Sequence, residues 1–545
     1  MSIRLCAIAC SAAVLIAAPA IAQDTVVRAP AGAVEGEIKE DVLAFKGLPY
    51  ALPPVGAARW KPPVAMPEWK GVRSAKQFAS SCIQPRPRPG SSIYANEPPA
   101  MSEDCLFLNV WAMKGARKAP VFVWIHGGAL TTGSSSEPLY DGTKLAKRGV
   151  VVVSINYRLG VLGYLAHPQL SAESSEGISG NYGLLDQIEA LRWVSRNIAA
   201  FGGDPSNVTI AGESAGALSV MYLMTSPPAR GLFAKAIAQS AYMISTPELK
   251  QARFGEQAAE AIGSRIATAA GAADIAALRS NDAEKLVNAA VQAGYFPLGT
   301  VDGRVLPRQL VEVFDRGEQA QVPIIAGFNS GEIRSLRGLA PPVPAHVATY
   351  EAAIRSRYAD LADDFLKIYP STQLEESVLA ATRDALYGWT AERLVTKQTA
   401  LGQPAFLYFF DHAYPAATAA GLHAFHAAEL PYVFGTAGRA PPLWPQVPGT
   451  AAETALSDAM LDYWTSFARS GEPSAKNQPQ WPAYGSTRAY LAFADAPRPA
   501  TRLLPGMYEL NEAVVCRRRS NGAQPWNWNT GIVSPPLPPR TESCR

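Results

Sequence analysis

With 545 residues, nearly half of them apolar, the chain is long enough to bury a large core, as several average domains or as one large α/β unit. Its formal net charge of +3 is too small to drive binding to nucleic acid or to an anionic membrane surface, so neither partner is expected.

The first residues, MSIRLCAIACSAAVLIAAPAIAQ, place Arg4 before an apolar run from Leu5 to Ala18 and close on Ala20-Ile21-Ala22. That is the pattern of a signal peptide cleaved after Ala22, and the run is too short to span a bilayer. No later stretch reads as transmembrane, so the mature chain is expected to be secreted or periplasmic. Cys6 and Cys10 leave with the leader, and Cys82, Cys105, Cys516 and Cys544 remain. An even set in an exported protein favours disulfides. Three connectivities are open, and pairing neighbours, Cys82 with Cys105 and Cys516 with Cys544, is the simplest. None of the four forms a C-x-x-C or lies near a histidine, so no zinc site is expected.

From Phe45 a proline-rich stretch, FKGLPYALPPVGAARWKPP, has no helical period and should be extended. A second proline-rich loop runs from Cys82 to Cys105, after which Leu106, Leu108 and Val110 alternate as in a strand. Strands and helices then take turns. Val121–Ile125 leads into His126-Gly127-Gly128-Ala129, and Val150–Ile155 into NYRLG. Gly183–Ala199 carries Leu184, Leu185, Ile188, Leu191 and Ile198 at helical spacing and stops before Gly202-Gly203. Lys235–Gln239, Val322–Ala326 and Ala405–Phe410 are further apolar strands. Continuous apolar strands separated by helices predict an α/β fold with a large, mostly parallel central sheet covered by helices. Two Ala-rich segments, 247–316 and 345–401, should form helical insertions around the active-site mouth, and a helix within 447–473 should end near Arg469. The expected organisation is a leader over 1–22, one α/β unit over 23–515 and a disulfide-closed tail over 516–545. In that tail Arg517-Arg518-Arg519 reads as solvated surface.

The stretch that carries chemistry is Val208–Met224, VTIAGESAGALSVMYLM. An apolar β-branched run enters it and a helical run leaves it, with Gly212-Glu213-Ser214-Ala215-Gly216 between them. A G-x-S-x-G on a sharp strand-to-helix turn strains the serine backbone and pushes its hydroxyl out of the sheet, and the glycines let strand and helix cross closely. Ser214 is therefore the candidate nucleophile. Its hydroxyl needs a base, which is nearly always histidine. On such turns the acid and then the histidine follow the serine in the chain, which leaves out His126 and His167. His423 and His426 both lie after the last core strand, in GLHAFHAAELPYVFG, and spacing does not choose between them. A metal reading of His423, His426 and Glu429 has no H-E-x-x-H pattern behind it. The acid should follow a strand and orient the histidine. Glu332, in the turn after Val322–Ala326, meets that condition. Asp302, in TVDGRVLP, is the competitor, and its Asp-Gly pair reads as a turn. The glycine loop after Val121–Ile125 and the N–H of Ala215 are the candidate oxyanion donors.

At this point the chain resembles the type-B carboxylesterases, the cholinesterase-like branch of the α/β-hydrolases, from about Val26 to about Phe493. FKGLPYALPPVGAARW, SEDCLFLNV, VWIHGGAL, NYRLG, GNYGLLDQ, FGGDPSNVTIAGESAG, FHAAELPYVFG and GEP followed by WPAY stand in family order. The resemblance implies the α/β-hydrolase fold with Ser214 as nucleophile. It makes His426 the base, three residues before Glu429 in the H-x-x-E-L-P motif, and Glu332 the acid, five residues after Gly327. Gly331 departs from the family, where aspartate is common, and Ile333 stands where glycine is. The implied oxyanion donors are Gly128, Ala129 and Ala215, with Leu130 where Phe or Tyr is usual. The resemblance also implies the Cys82–Cys105 disulfide, ion pairs Arg59–Glu103 and Arg158–Asp186, and a supporting hydrogen bond between Ser240 and Glu429. The disulfide loop has no tryptophan, so a choline ester is not the expected substrate.

The expected activity is hydrolysis of a small-molecule carboxylic ester through an acyl-enzyme, without cofactor or metal. Aryl, feruloyl-type and bulky esters, including polyester toxins, are compatible. A transacylase or amidase would use the same site. A non-catalytic binding module of the cholinesterase type is the weaker rival, since the three positions of the triad are all filled.

Overall fold

In a computed structural model, which describes residues 25–544 apart from 89, 91, 97–99 and 528, the apolar runs assemble into one eleven-stranded sheet. The expected leader lies outside the described residues. In chain order the strands are β1 (Glu37–Lys39), β2 (Val42–Pro49), β3 (Phe107–Met113), β4 (Ala119–Ile125), β5 (Val151–Ile155) and β6 (Gly203–Glu213). They continue as β7 (Lys235–Gln239), β8 (Ile324–Asn329), β9 (Ala405–Phe410), β10 (Ala489–Phe493) and β11 (Pro497–Thr501). The spatial order is β1-β2-β3-β5-β4-β6-β7-β8-β9-β10-β11. It is parallel from β5 through β10 and antiparallel at both margins. With the helices packed on the sheet, this is an α/β-hydrolase fold.

Side chains alternate between two cores. On β4, Val121, Val123 and Ile125 pack with Leu184, Ile188 and Leu191 of helix α1 (Tyr182–Asn197). Phe122 and Trp124 enter the opposite core with Leu461 and Trp464 of a later helix, Ala451–Ser470. Burial on both faces is why these strands read as unbroken apolar runs. The later helix ends where expected, on Gly471 with φ 82°, a left-handed cap that glycine takes without strain. The first insertion forms helices Ala259–Ala269, Ile275–Ser280 and Ala283–Gln292, which pack a separate cluster with Trp60, Ile83 and Tyr182. The second insertion includes helix Trp389–Ala400 and a π-helical turn, Asp384–Gly388, just before it.

The disulfides are Cys82–Cys105 and Cys516–Cys544. Among the described residues no helix is long and apolar enough to cross a membrane. Both ion pairs implied by the resemblance are present and forked. Arg59 donates to the two carboxylate oxygens of Glu103 at 2.6 Å each, and Arg158 to those of Asp186 at 2.7 Å each.

The C-terminal region differs from expectation. A helix, Met507–Asn521, runs straight through the expected boundary at 516. Arg517 and Arg518 are buried, not solvated. Successive residues on a helix point about 100° apart, so a run of three cannot all face water when the helix is packed on two sides. Arg517 forks onto Asp360 at 2.6 and 2.7 Å, Arg518 reaches the carbonyl of Pro535 at 3.2 Å, and Arg519 pairs with Asp315.

The Arg158–Asp186 pair yields a stability prediction. Both side chains are almost fully buried, so Asp186→Asn leaves an uncompensated guanidinium in the core. The expected cost is about 3–5 kcal/mol, read from the denaturant unfolding midpoint. A variant as stable as the parent would contradict this reading of the pair.

Candidate active site

The carboxyl ends of β4, β6, β7, β8 and β9 lie along one edge of the sheet, where open α/β folds hold their ligands. Ser214 sits at the end of β6, before helix Ala215–Thr225, with φ 55° and ψ −121°. Such a conformation costs about 1–3 kcal/mol in a non-glycine residue and persists only when its surroundings enforce it. The Ser214 N–H donates to the carbonyl of Gln239 at 2.9 Å, and its own carbonyl accepts from Leu218 at 2.9 Å. The crossing is too tight for side chains. A Cβ on Gly216 would stand 2.0 Å from the carbonyl oxygen of Ile125, and one on Gly212 would stand 2.5 Å from the backbone of Gly216.

The glycine loop lies against this turn, since a Cβ on Gly127 would come within 3.3 Å of Ser214 Cβ. Gly128, Ala129 and Leu130 all have left-handed backbones, with φ 103°, 54° and 56°. Two of their carbonyls are engaged by main-chain donors: Gly128 accepts from Thr131 and Thr132 at 2.9 Å each, and Leu130 from Gly160 at 2.7 Å. The N–H groups of Gly128 and Ala129 find no acceptor among the described residues. That of Ala215 opens a helix and has no preceding turn to bond. Leu130 itself is fully buried in the core. His126 stacks on Tyr157 with ring centroids 4.6 Å apart, and burial pushes its pKa down to about 4, partly offset by the Gly127 carbonyl.

The candidate acid and base meet through a register. Gly331 makes an isolated parallel bridge to Phe425, and its N–H donates to the carbonyl of Ala424 at 2.8 Å. The next residues on each side are Glu332 and His426, and the Glu332 carboxylate bonds His426 Nδ1. A Cβ at Gly331 would fall 2.8 and 2.9 Å from the carbonyls of Leu422 and Ala424, so the departure from aspartate there fits this close crossing. Glu332 is fully buried, and its other oxygen accepts from Ser240 Oγ at 2.7 Å and from the Asn329 N–H at 2.8 Å.

Ser240 thus bonds Glu332 rather than Glu429, contrary to the pair implied by the resemblance. Ser240 follows β7 directly beside β8, which brings its hydroxyl to the turn that carries Glu332. Glu429 instead accepts from Gln239 Nε2 at 2.9 Å and Asn329 Nδ2 at 2.7 Å. Burial and then the charge of Glu213 push its pKa up to about 7. His423 stands away from this pairing, its N–H on the carbonyl of Ala417 at 3.3 Å. Asp302 builds a turn: one oxygen accepts the N–H groups of Arg304, Val305 and Leu306 at 2.8, 2.8 and 3.1 Å, and the other accepts from Asn181 at 2.9 Å.

Three further groups escaped the sequence reading. Glu213, the neighbour of Ser214, brings its carboxylate to 3.0 Å from His426 Nε2. It stood inside the pentapeptide, and an ionisable side chain beside the candidate nucleophile was the available signal. Tyr387, in the π-helical turn, packs on His426 with ring centroids 5.2 Å apart, so the second insertion reaches the site. Tyr94 stands edge-on to the same imidazole. Burial disfavours the charged form of His426, but the charges of Glu213 and Glu332 and their hydrogen bonding outweigh it and raise its pKa well above the ordinary value.

Residues 23–507 match the carboxylesterase family. The chain is 37% identical over 481 residues to the fumonisin B1 esterase of Sphingopyxis macrogoltabida, covering 85% of each protein. It is 36% identical over 466 residues to the para-nitrobenzyl esterase of Bacillus subtilis (strain 168), covering 83% of this chain and 91% of that one. A solved PNB esterase structure superposes with a TM-score of 0.77 at 33% identity, over 89% of this chain and 99% of that chain.

The pH dependence follows from the two carboxylates on one imidazole. A base must be neutral to accept a proton, so the acid limb of kcat/KM should lie above the ordinary histidine pKa of 6.5. Glu213→Gln removes one of the two charges and should move that limb to lower pH. A limb at or below 6.5 that ignores Glu213→Gln would contradict the electrostatics described.

Proposed function

This chain belongs to the carboxylesterase family, and from that premise we propose that it hydrolyses carboxylic esters through Ser214, His426 and Glu332 by way of an acyl-enzyme. The observation that carries the reading is the buried bond between Glu332 and His426 Nδ1, made beside the strained serine turn. With Nδ1 engaged, Nε2 is the nitrogen that takes the Ser214 proton as the hydroxyl oxygen attacks the ester carbonyl. The N–H groups of Gly128, Ala129 and Ala215 stabilise the oxyanion; one such donor is typically worth about 3–4 kcal/mol in the transition state. The imidazolium then protonates the departing alcohol, and water repeats the cycle on the acyl-serine. Glu332 stays ionised, holds the tautomer and stabilises the imidazolium, and Glu213 adds negative charge on the other nitrogen.

We place the substrate among aryl, feruloyl-type or bulky esters. The similarity to a fumonisin B1 esterase and a para-nitrobenzyl esterase supports that range, as does the lack of a tryptophan in the disulfide loop. Export is part of the same proposal, because disulfides such as Cys82–Cys105 and Cys516–Cys544 form and persist in oxidising compartments.

Alanine and isosteric variants assayed on an aryl ester test the assignment. Ser214→Ala and His426→Ala should each lower kcat by several orders of magnitude, and the double variant should be no worse, because the two act as a unit. His423→Ala should stay near the parent. Glu332→Gln should lose up to about 10⁴ in kcat, by analogy with the acid of a serine protease. Asp302→Asn should keep its chemistry. An active His426→Ala beside a dead His423→Ala, or an active Glu332→Gln beside a dead Asp302→Asn, would move the roles.

A further inference from the structure

Tyr94 is the only aromatic residue between Cys82 and Cys105, in a loop otherwise rich in proline and far in sequence from the acid and the base. Its single hydroxyl proton is shared between the main-chain oxygen of His426 at 2.9 Å and Ser335 Oγ at 2.6 Å. Ser335 Oγ in turn takes the N–H of His426 at 3.3 Å and points its own hydroxyl at the carbonyl of Glu332 at 3.4 Å. Both main-chain polar groups of His426 therefore end in one small network, and the peptide of Glu332 ends in it too. Ser335 lies three residues after Glu332, one tight helical turn on, which brings its hydroxyl back over the acid's own carbonyl. The Tyr94 ring stands edge-on to the imidazole, with centroids 6.3 Å apart at 80°, and is backed by Trp444 at 5.7 Å and 83°.

We propose that Tyr94 is a positioning residue for the acid–base pair, clamping the main chain of His426 to the Glu332 turn through Ser335. This rests on the reading of His426 as base and Glu332 as its orienter. The side-chain bond between them fixes the tautomer, and Glu213 and Tyr387 border the ring. The clamp adds to these by fixing the backbone from which the imidazole reaches Glu332. Small misplacements of a catalytic group are costly, with about 1 Å worth up to about 10²-fold in rate. Burial raises the Tyr94 phenol well above its ordinary pKa, so it remains a donor throughout the working pH range.

Tyr94→Phe keeps the ring and its edge contacts and removes both hydrogen bonds. Rates are taken per active site titrated with an organophosphate, and the unfolding midpoint is measured alongside. The expected result is a fall in kcat of about tenfold with KM within about twofold. The acid limb of kcat/KM should also move to lower pH, because an imidazole that pivots loses part of its attraction to the two carboxylates. Ser335→Ala should show the same pattern, and the double variant should be no worse than the weaker single one. If Tyr94→Phe matches the parent in kcat and pH profile while His426→Ala is inactive, the clamp is refuted and the base stands. An active His426→Ala refutes the base reading itself. A Tyr94→Phe enzyme that loses rate only together with its unfolding midpoint, on an unmoved pH profile, assigns Tyr94 to structure and overturns the proposal.

Discussion

A carboxylate taken fully out of water is tolerated only when donors replace the water it loses, and Glu332 is such a carboxylate. Its donors come from three places: the N–H of Asn329 in its own turn, the hydroxyl of Ser240 after β7, and Nδ1 of His426 beyond β9. Those groups converge only if β7, β8 and β9 end in register, so the requirements of one buried charge reach across the sheet. The Gly331–Phe425 bridge supplies the last part of that register, and glycine lets the two segments approach there without displacing the carbonyls of Leu422 and Ala424. The rest of the site is built outward from this pair.

Carboxylates flank the imidazole at both ring nitrogens, and the free amides of the glycine loop lie beside the serine turn. Glu213 and Glu332 stand at the two ring nitrogens of His426, and Glu429 lies behind them, held by Gln239 and Asn329. Gln239 is itself fixed by Trp464 Nε1 at 2.9 Å, which ties the polar network to the apolar core beneath the sheet. Across the site, Gly127 lies against Ser214, and in the left-handed run that follows it the N–H groups of Gly128 and Ala129 find no acceptor among the described residues. An imidazolium is stabilised where carboxylates gather and an oxyanion where amides gather. Charge separation during acyl transfer needs that distribution.

Much of the fold was legible because buried parallel strands leave continuous apolar runs. β4, β5, β7 and β9 lie where those runs stand, and β8 begins two residues later than expected. The serine turn was legible because close crossing excludes side chains, and glycine spacing records that directly. Spacing did not separate His423 from His426, because the contact that distinguishes them, the pairing of Glu332 with His426, joins segments nearly a hundred residues apart. It was the family resemblance that pointed to His426. The partner of Ser240 was misread for a related reason: Glu332 and Glu429 lie behind the same strand ends, and only the geometry separates them. The arginine run of the last helix was misread because composition suggests solvent, while helical rotation turned two of the three guanidinium stems inward. Tyr94 left no periodic signal at all. It was one ring in an irregular loop, and its meaning lies in what the loop is folded against.

The central claim is that Ser214 carries the acyl group between two transfers assisted by His426. Rapid mixing of the intact enzyme with a para-nitrophenyl ester, followed by acid quench and peptide mapping, tests it most directly. The account predicts a burst of about one nitrophenolate per titrated site wherever deacylation is the slower step, with the acyl mass on the peptide that contains Ser214. Acyl mass on a different residue, or steady turnover that yields no acyl-peptide under any quench or slow-hydrolysing ester, would contradict it.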